Sequence, residues 1–299
     1  MLYDVDEGFV RDMAEFGRKR MEVWHRKEVL GEDPPWTDDE VLRKYKFINI
    51  YRELDHMTRF EASFASDLDS FREKLRWIVL FRHTISKHTA PYLFREGEDA
   101  ELSEVRRMYD ELKPREFVST AIQFFPPPGM DRAEHIHDYG QVVERRIDHL
   151  AERISRAPTA EYVLKKLQQC LPRIGPFKSY EMYTSLTYMD EFPFEEDEVF
   201  VVGPGAVPAV REMFQDESLN EKDSNVLPVG ADRVAEALKN AGFRWLPEDR
   251  ALDTDAGPRK FTTRTFEDLL CEYRKYLNIK RGKHGMRRYK PREGDPESV

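Results

Sequence analysis

Along most of the chain apolar residues return every three to four positions, the spacing of helices with one buried face. Phe9, Val10, Met13, Phe16, Met21 and Trp24 set this rhythm over residues 6–30, and Pro34-Pro35-Trp36 interrupts it. Thr37-Asp38-Asp39-Glu40 then reads as a capping box, with Thr37 accepting from the third helical N–H and Glu40 reaching back. The helix it opens is expected to run to about Phe60. The same periodicity predicts helices over about 67–86, 101–112, 132–156, 159–170, 176–189, 207–214 and 231–241. A final helix is expected to start at Thr265-Phe266-Glu267-Asp268, a second capping box. Val199–Val202 reads as a short strand or extended stretch leading into Gly203-Pro204-Gly205-Ala206. Strand content is minimal and no internal repeat is visible, so the expected class is all-α.

The strongest punctuation is Phe125-Pro126-Pro127-Pro128-Gly129, where three prolines remove donors and fix φ. It is expected to separate two helical lobes of one domain, about 1–125 and 130–277, ahead of a basic flexible tail over 278–299. The chain has 299 residues, 40% of them apolar and 35% charged, which rules out disorder throughout. Trp77–Phe81 is the longest apolar run in an expected helix, far short of the roughly 20 residues a membrane span needs. Residues 1–20 lack the apolar centre of a signal peptide. Two cysteines, Cys170 and Cys271, make neither a disulfide scaffold nor a four-cysteine metal site. A soluble, cytoplasmic protein with no membrane partner is expected.

With 48 Lys+Arg against 57 Asp+Glu the net charge is −9, which weakly opposes nucleic-acid binding. The distribution says more. Asp190–Glu198 holds six acids in nine positions, while Asn278–Arg292 holds seven basic residues, Lys280, Arg281 and Lys283 among them, and no acid. Each run reads either as a solvated segment or, for the basic one, as a handle for phosphates. The acidic run has the donors for a divalent ion, although a solvated loop is the better explanation.

Three constellations carry candidate chemistry. In the helix expected over 38–58, Asn49, Arg52 and Asp55 fall at i, i+3 and i+6 among residues apolar nearly all round. They form either a structural Arg52–Asp55 ion pair or a cleft wall presenting an amide, a guanidinium and a carboxylate. Leu171-Pro172-Arg173-Ile174-Gly175-Pro176-Phe177 matches the helix-hairpin-helix pattern of DNA glycosylases, in which a tight turn exposes amides to DNA phosphates. Two residues depart from the glycosylase version. Phe177 stands where glycosylase/lyases place lysine, with Lys178 one later, and Glu195–Glu198 replaces the downstream aspartate motif. On the last helix, Phe266, Leu269, Leu270, Tyr273, Tyr276 and Leu277 define an apolar face, and Cys271 lies opposite it beside Arg274 and Lys275. Cations there would favour a thiolate; the alternative is an incidental thiol. His135 and His137 diverge on a helix and make no metal site together. No Gly-x-x-x-x-Gly-Lys-Ser/Thr occurs, so these residues hold no P-loop.

In their order along the chain, Trp36–Asp39 with Phe47–Asp55, Ile174–Phe177 with Tyr180-Glu181, Gly203–Ala206 and Leu270–Tyr276 resemble the phage thymidine-hypermodification family. Its members are the α-glutamyl/putrescinyl-thymidine pyrophosphorylases, or amino acid:DNA transferases, and the helical domain of 5-hydroxymethyluracil DNA kinases. The resemblance spans roughly residues 36–290. It implies a two-lobed, helix-hairpin-helix, glycosylase-like fold adapted to substitution on a base. In the implied pathway a separate P-loop kinase activates 5-hydroxymethyl-deoxyuridine in DNA as a pyrophosphate. The transferase flips out the nucleotide and displaces pyrophosphate with an amino acid or polyamine, in the host cytoplasm if phage-encoded. The implied roles are catalytic for Asp55, Cys271 and Lys275, with thiolate addition at C6 as the electron push. Asn49, Arg52, Glu181, Gly203, Gly205, Glu272 and Arg274 would bind substrate. Ile174, Gly175, Phe177, Lys178, Lys280, Arg281 and Lys283 would bind DNA. No cofactor is expected beyond an optional divalent metal. After Ala206 the family pattern places an Arg and Gly soon afterwards, whereas here Val207-Pro208-Ala209-Val210 precedes Arg211.

Overall fold

The Asp6 carboxylate accepts from the Gly8 and Phe9 amides at 2.8 and 3.0 Å and so opens the first helix, α1 (Glu7–Trp24). In the computed structural model, which describes residues 4–119, 126–220, 222–241, 243, 251–254 and 257–283, α2 (Glu40–Lys44) follows. Then come α3 (His56–Ser66), α4 (Phe71–Thr84), α5 (Thr89–Glu96), α6 (Leu102–Glu111), α7 (Pro114–Phe117), α8 (Arg132–Ser155), α9 (Ala160–Cys170) and α10 (Pro176–Leu186). The chain closes with α11 (Val207–Phe214), α12 (Leu227–Asn240), an antiparallel hairpin of β1 (Ala251–Thr254) and β2 (Gly257–Lys260), and α13 (Thr263–Lys280). The fold is all-α apart from that one hairpin among the described residues. Val199 is extended and Val202 donates its amide to Ser224 Oγ, so 199–202 is an extended stretch and not a strand.

The helix expected from Asp38 to Phe60 does not form. Asp39, not Thr37, caps α2 by accepting from Val41 and Leu42, and Tyr45 is already extended at φ −122°. Residues 45–51 are mostly aromatic or β-branched, the poorest helix formers short of Gly and Pro. Extended, they bury Phe47, Asn49, Ile50 and Tyr51 while leaving Lys46 and Ile48 exposed. Their main-chain groups bond elsewhere: Arg20 donates to the Phe47 and Ile48 carbonyls at 3.2 and 3.1 Å. Tertiary hydrogen bonds thus replace the intrahelical ladder.

The chain divides into two compact units, Met1–Asp55 with Phe200–Val299, and His56–Val199. This differs from lobes divided at 125–129. Pro126–Gly129 lies inside the second unit, where α4 packs on α8 and the Tyr139 hydroxyl donates to the Val79 carbonyl at 3.1 Å. Prolines end backbone pairing locally, yet the helices before and after them still share one core. Of the expected tail, Asn278–Lys280 forms the end of α13, Arg281–Lys283 is the turn that closes it, and 284–299 lies outside the described residues; so does Phe125.

In the first unit, α1, α12 and α13 pack around Met13, Met21, Val234, Leu238, Phe266 and Leu269. Small residues set the spacing. A Cβ at Gly230 on α12 would lie 2.4 Å from Phe266 Cζ. Gly230→Ala is therefore expected to destabilise this unit by about 1–3 kcal/mol, read by denaturant unfolding. An unchanged midpoint would mean that the helices part without penalty. In the second unit α4 is buried from Trp77 to Thr84. Arg82 on it forms a buried ion pair with Glu61 on α3, with Nε 2.9 Å from Oε1, and Arg82 Nε also donates to Ser185 Oγ at 2.6 Å.

Candidate active site

The candidate residues of the first unit meet along α13. Thr262 caps it, its Oγ1 accepting from the Thr265 amide at 3.1 Å, so the helix begins two residues before the expected Thr265 box. The apolar face is as expected: Phe266, Leu269, Leu270, Tyr273 and Tyr276 are buried. The opposite side of the first two turns is buried as well. There Arg264 donates to Glu267 Oε2 at 2.9 Å and Asp268 Oδ1 at 2.8 Å, and all three side chains are at most 7% exposed.

This buried cluster reaches the glycine turn. Glu267 Oε1 accepts from the Gly203 amide at 3.1 Å, so that amide is not available as an anion cradle. Arg274 Nη1 donates to the Gly205 carbonyl at 3.0 Å. Glu272 Oε2 accepts from the Ile48 amide at 2.9 Å and from Lys275 Nζ at 3.2 Å. Lys275 also donates to the Lys46 carbonyl and lies over the Phe47 ring, 4.5 Å from its centroid. The Tyr276 hydroxyl ties α13 to Asp39 at 2.6 Å. Three stretches far apart in the chain, 46–49, 203–205 and 264–276, are thereby joined on one helix.

Within this group Asn49 is 4% exposed, its Oδ1 accepting from the Tyr51 amide at 3.4 Å. Its Nδ2 and the buried Tyr51 hydroxyl find no hydrogen-bond partner among the described residues. Two donors are thus held out of water at the inner end of the segment. Arg52 and Asp55 do not continue a stripe with Asn49, because residues 52–54 form a single 3-10 turn in which the Asp55 amide donates to the Arg52 carbonyl. Arg20, a residue no sequence signal singled out, feels the charges of Glu272, Asp55 and Glu28. Burial lowers its pKa, and the charges of Glu272 and Asp55 oppose that shift.

Cys271 departs most from expectation. Its Sγ lies where a Cβ on Gly205 would come within 2.8 Å, so the missing side chain at Gly205 makes its place. The environment is anionic, not cationic. Burial chiefly, then Glu267, Glu272 and Asp268, push the thiol far above its ordinary range, with Arg264 only partly opposing them. A resting thiolate does not form at neutral pH. Iodoacetamide at pH 8 is accordingly expected to alkylate Cys271 at least about tenfold more slowly than a free thiol. Intact mass spectrometry reads this, and an equal rate would restore the thiolate.

The hairpin residues belong to the other unit. α9 and α10 are joined by Leu171–Gly175, with Gly175 as the N-cap and Pro176 opening α10. Gly175 has an ordinary φ of −84°, and the left-handed residue is Arg173 at φ +59°. Arg173 and Gly175 are exposed, and the Ile174 side chain is buried. Lys178 turns inward: its Nζ is 3.1 Å from His83 Nδ1, and His83 stacks on Tyr139 at 3.4 Å with His135 at 5.3 Å. Burial pushes the Lys178 ammonium down to about 8. Expected as a phosphate contact, it is instead a half-buried amine. Phe177 is half-buried, and Glu181 is buried on α10, where its carbonyl accepts from Ser185 Oγ. Neither belongs to the unit that contains α13. His137 Nε2 bonds the Ala100 carbonyl while His135 faces His83, so the two diverge. Among the described residues no group of three or more His, Cys, Asp or Glu is placed to hold a metal, and no helix is long and apolar enough to cross a membrane.

Comparison with known proteins adds family context. Residues 7–285 match the family profile described as 5-hmdU DNA kinase, helical domain. A 5-hmdU DNA kinase of Bacillus phage SP10 is 23% identical over 285 residues, which is 87% of this chain and 43% of that protein. The chain thus spans less than half the length of this relative. No solved structure matches.

Proposed function

The chain belongs to the family of the 5-hmdU DNA kinase helical domain, and from that premise we propose that it is a DNA base-modifying transferase. It replaces the pyrophosphate of activated 5-hydroxymethyluracil in DNA with the amine of an amino acid or polyamine. The carbon–oxygen bond at the 5-methylene breaks and its electron pair leaves with pyrophosphate. The amine nitrogen forms the new carbon–nitrogen bond and gives up one proton. The nucleotide is flipped out for this, since a stacked base hides the substituent's approach.

The observation that carries the reading is the joining of Ile48, next to Asn49, and of Gly205 to Glu272, Arg274 and Lys275 on α13. Asn49 Nδ2 is a buried donor suited to a base carbonyl. Lys275 and Arg274 supply cations for a leaving anion. Asp55, beside Arg20, takes the amine proton. The electron push does not come from Cys271 as a thiolate, and Cys271→Ser is expected to keep the transfer rate within a few-fold. The exposed Arg173 and Gly175 of the turn between α9 and α10 contact the DNA backbone. Activation to the pyrophosphate precedes this reaction, which consumes the activated nucleotide.

The test is a nucleoside digest with mass spectrometry after incubation with DNA bearing pyrophosphorylated 5-hydroxymethyluracil and a mixture of amino acids and polyamines. The expected product is heavier than 5-hydroxymethyl-deoxyuridine by the amine minus water. Because the matched relative is named a kinase, a second reading is that this domain presents DNA to a kinase. Unchanged nucleosides together with tight, salt-sensitive DNA binding would select it. Release of free base would instead indicate a glycosylase.

A further inference from the structure

Between α11 and the C-terminal half of α13 lies a cavity of about 350 Å³ lined by Arg211, Glu212, Glu217, Arg274, Arg281 and Lys283 among others. Four cations and two carboxylates leave a local excess of two positive charges (4 − 2) on a chain whose net charge is −9. Arg281 is neutralised by a bidentate pair with Glu212. The other two arginines are held differently. Arg211 Nε donates to the Leu219 carbonyl at 2.6 Å, and Arg274 Nη1 donates to the Gly205 carbonyl at 3.0 Å. Each guanidinium is therefore oriented by a neutral main-chain acceptor and not by a carboxylate. Its remaining N–H groups have no hydrogen bond to a described residue. Oriented guanidinium forks on two facing helices match the paired oxygens of phosphate groups. A cavity of this volume stands at the small end of ligand sites and suits a compact ion.

We propose that this cleft is a diphosphate site. Resting on the transferase reading, it holds the pyrophosphate that leaves the 5-methylene carbon, with Arg211 and Arg274 bound to its oxygens. Lys283 adds charge at the rim, and Glu217 weakens binding by repulsion.

Titration calorimetry of the full chain with inorganic pyrophosphate tests this at fixed ionic strength. Saturable binding is expected, weakened at least about tenfold in Arg211→Ala and strengthened about threefold in Glu217→Gln. The gain in Glu217→Gln is a result that misfolding does not mimic. No binding, or binding indifferent to both substitutions, overturns the proposal. So does weaker binding of Arg211→Ala to unmodified duplex DNA with pyrophosphate failing to compete, which would assign the cleft to the phosphodiester backbone. The nucleoside digest keeps the two readings apart. Pyrophosphate binding with this pattern but no transfer leaves the site standing without the transferase. Transfer that pyrophosphate inhibits equally in wild type and Arg211→Ala leaves the transferase without this site.

Discussion

Arg264→Met is expected to destabilise the first unit by about 3–5 kcal/mol at pH 7. The substitution keeps most of the side-chain volume but removes the guanidinium that bonds Glu267 and Asp268 at 2.9 and 2.8 Å in a setting at most 7% exposed. Glu267 would still accept from the Gly203 amide, so a buried carboxylate deprived of this guanidinium would remain bonded to the turn that meets Arg274 and Cys271. The deficit should shrink at pH 5, where the two carboxylates can take up protons. Denaturant unfolding at the two pH values reads both statements. A variant within about 1 kcal/mol of wild type at pH 7 would show that water reaches the cluster and that its burial has been overstated.

Lys178→Met has the opposite sign. An ammonium pushed from the usual 10.5 to about 8 by burial is held at a cost of about 3 kcal/mol below pH 8. Among the groups facing it are His83 and His135; burial, helped by the Lys178 charge, lowers the pKa of each, so neither imidazole carries charge at pH 7. Between about 8 and 10.5 the unfolded chain binds this proton and the native chain does not. Wild-type stability contributed by this group therefore rises with pH across that window and is lowest below it. The methionine variant lacks the term. It is expected to be more stable than wild type at pH 7, by an amount reduced by the loss of the His83 hydrogen bond. That advantage should decline by about 3 kcal/mol between pH 7 and pH 10.5. Parallel pH profiles for the two proteins would place Lys178 in solvent, as a phosphate contact requires.

The two predictions separate what could be read in the chain from what could not. Helices with one apolar face were legible because their period is local: α1, α4, α6, α8, α9, α11 and α12 begin within a few residues of the positions their patterns predict. Residues 38–60 were not legible, because residues apolar nearly all round suit a buried helix and a buried extended segment alike. The choice lay in partners 27 and 224 positions away, Arg20 for the Phe47 carbonyl and Glu272 for the Ile48 amide. Gly203, Gly205, Glu272, Arg274 and Lys275 were found as motif residues, and they do meet. Arg264, which joins them electrostatically with Glu267 and Asp268, carried no motif, and those two acids were read only as part of a capping box. An i, i+3, i+4 charged triplet at a helix start looks the same on a solvated surface.

The sequence by itself determined the all-α class, most helix positions, the absence of a P-loop from these residues and the family resemblance, since each depends on residue type and short spacing. Tertiary structure decided the charge state of the two groups that mattered most. Cys271 has Arg274 and Lys275 as neighbours on its own helix, yet burial and three carboxylates surround it in space. Lys178 follows the stretch that resembles a helix-hairpin-helix, yet its amine is folded against His83. Ionisation follows solvation and the nearest charges in three dimensions, and neither is written in sequence order.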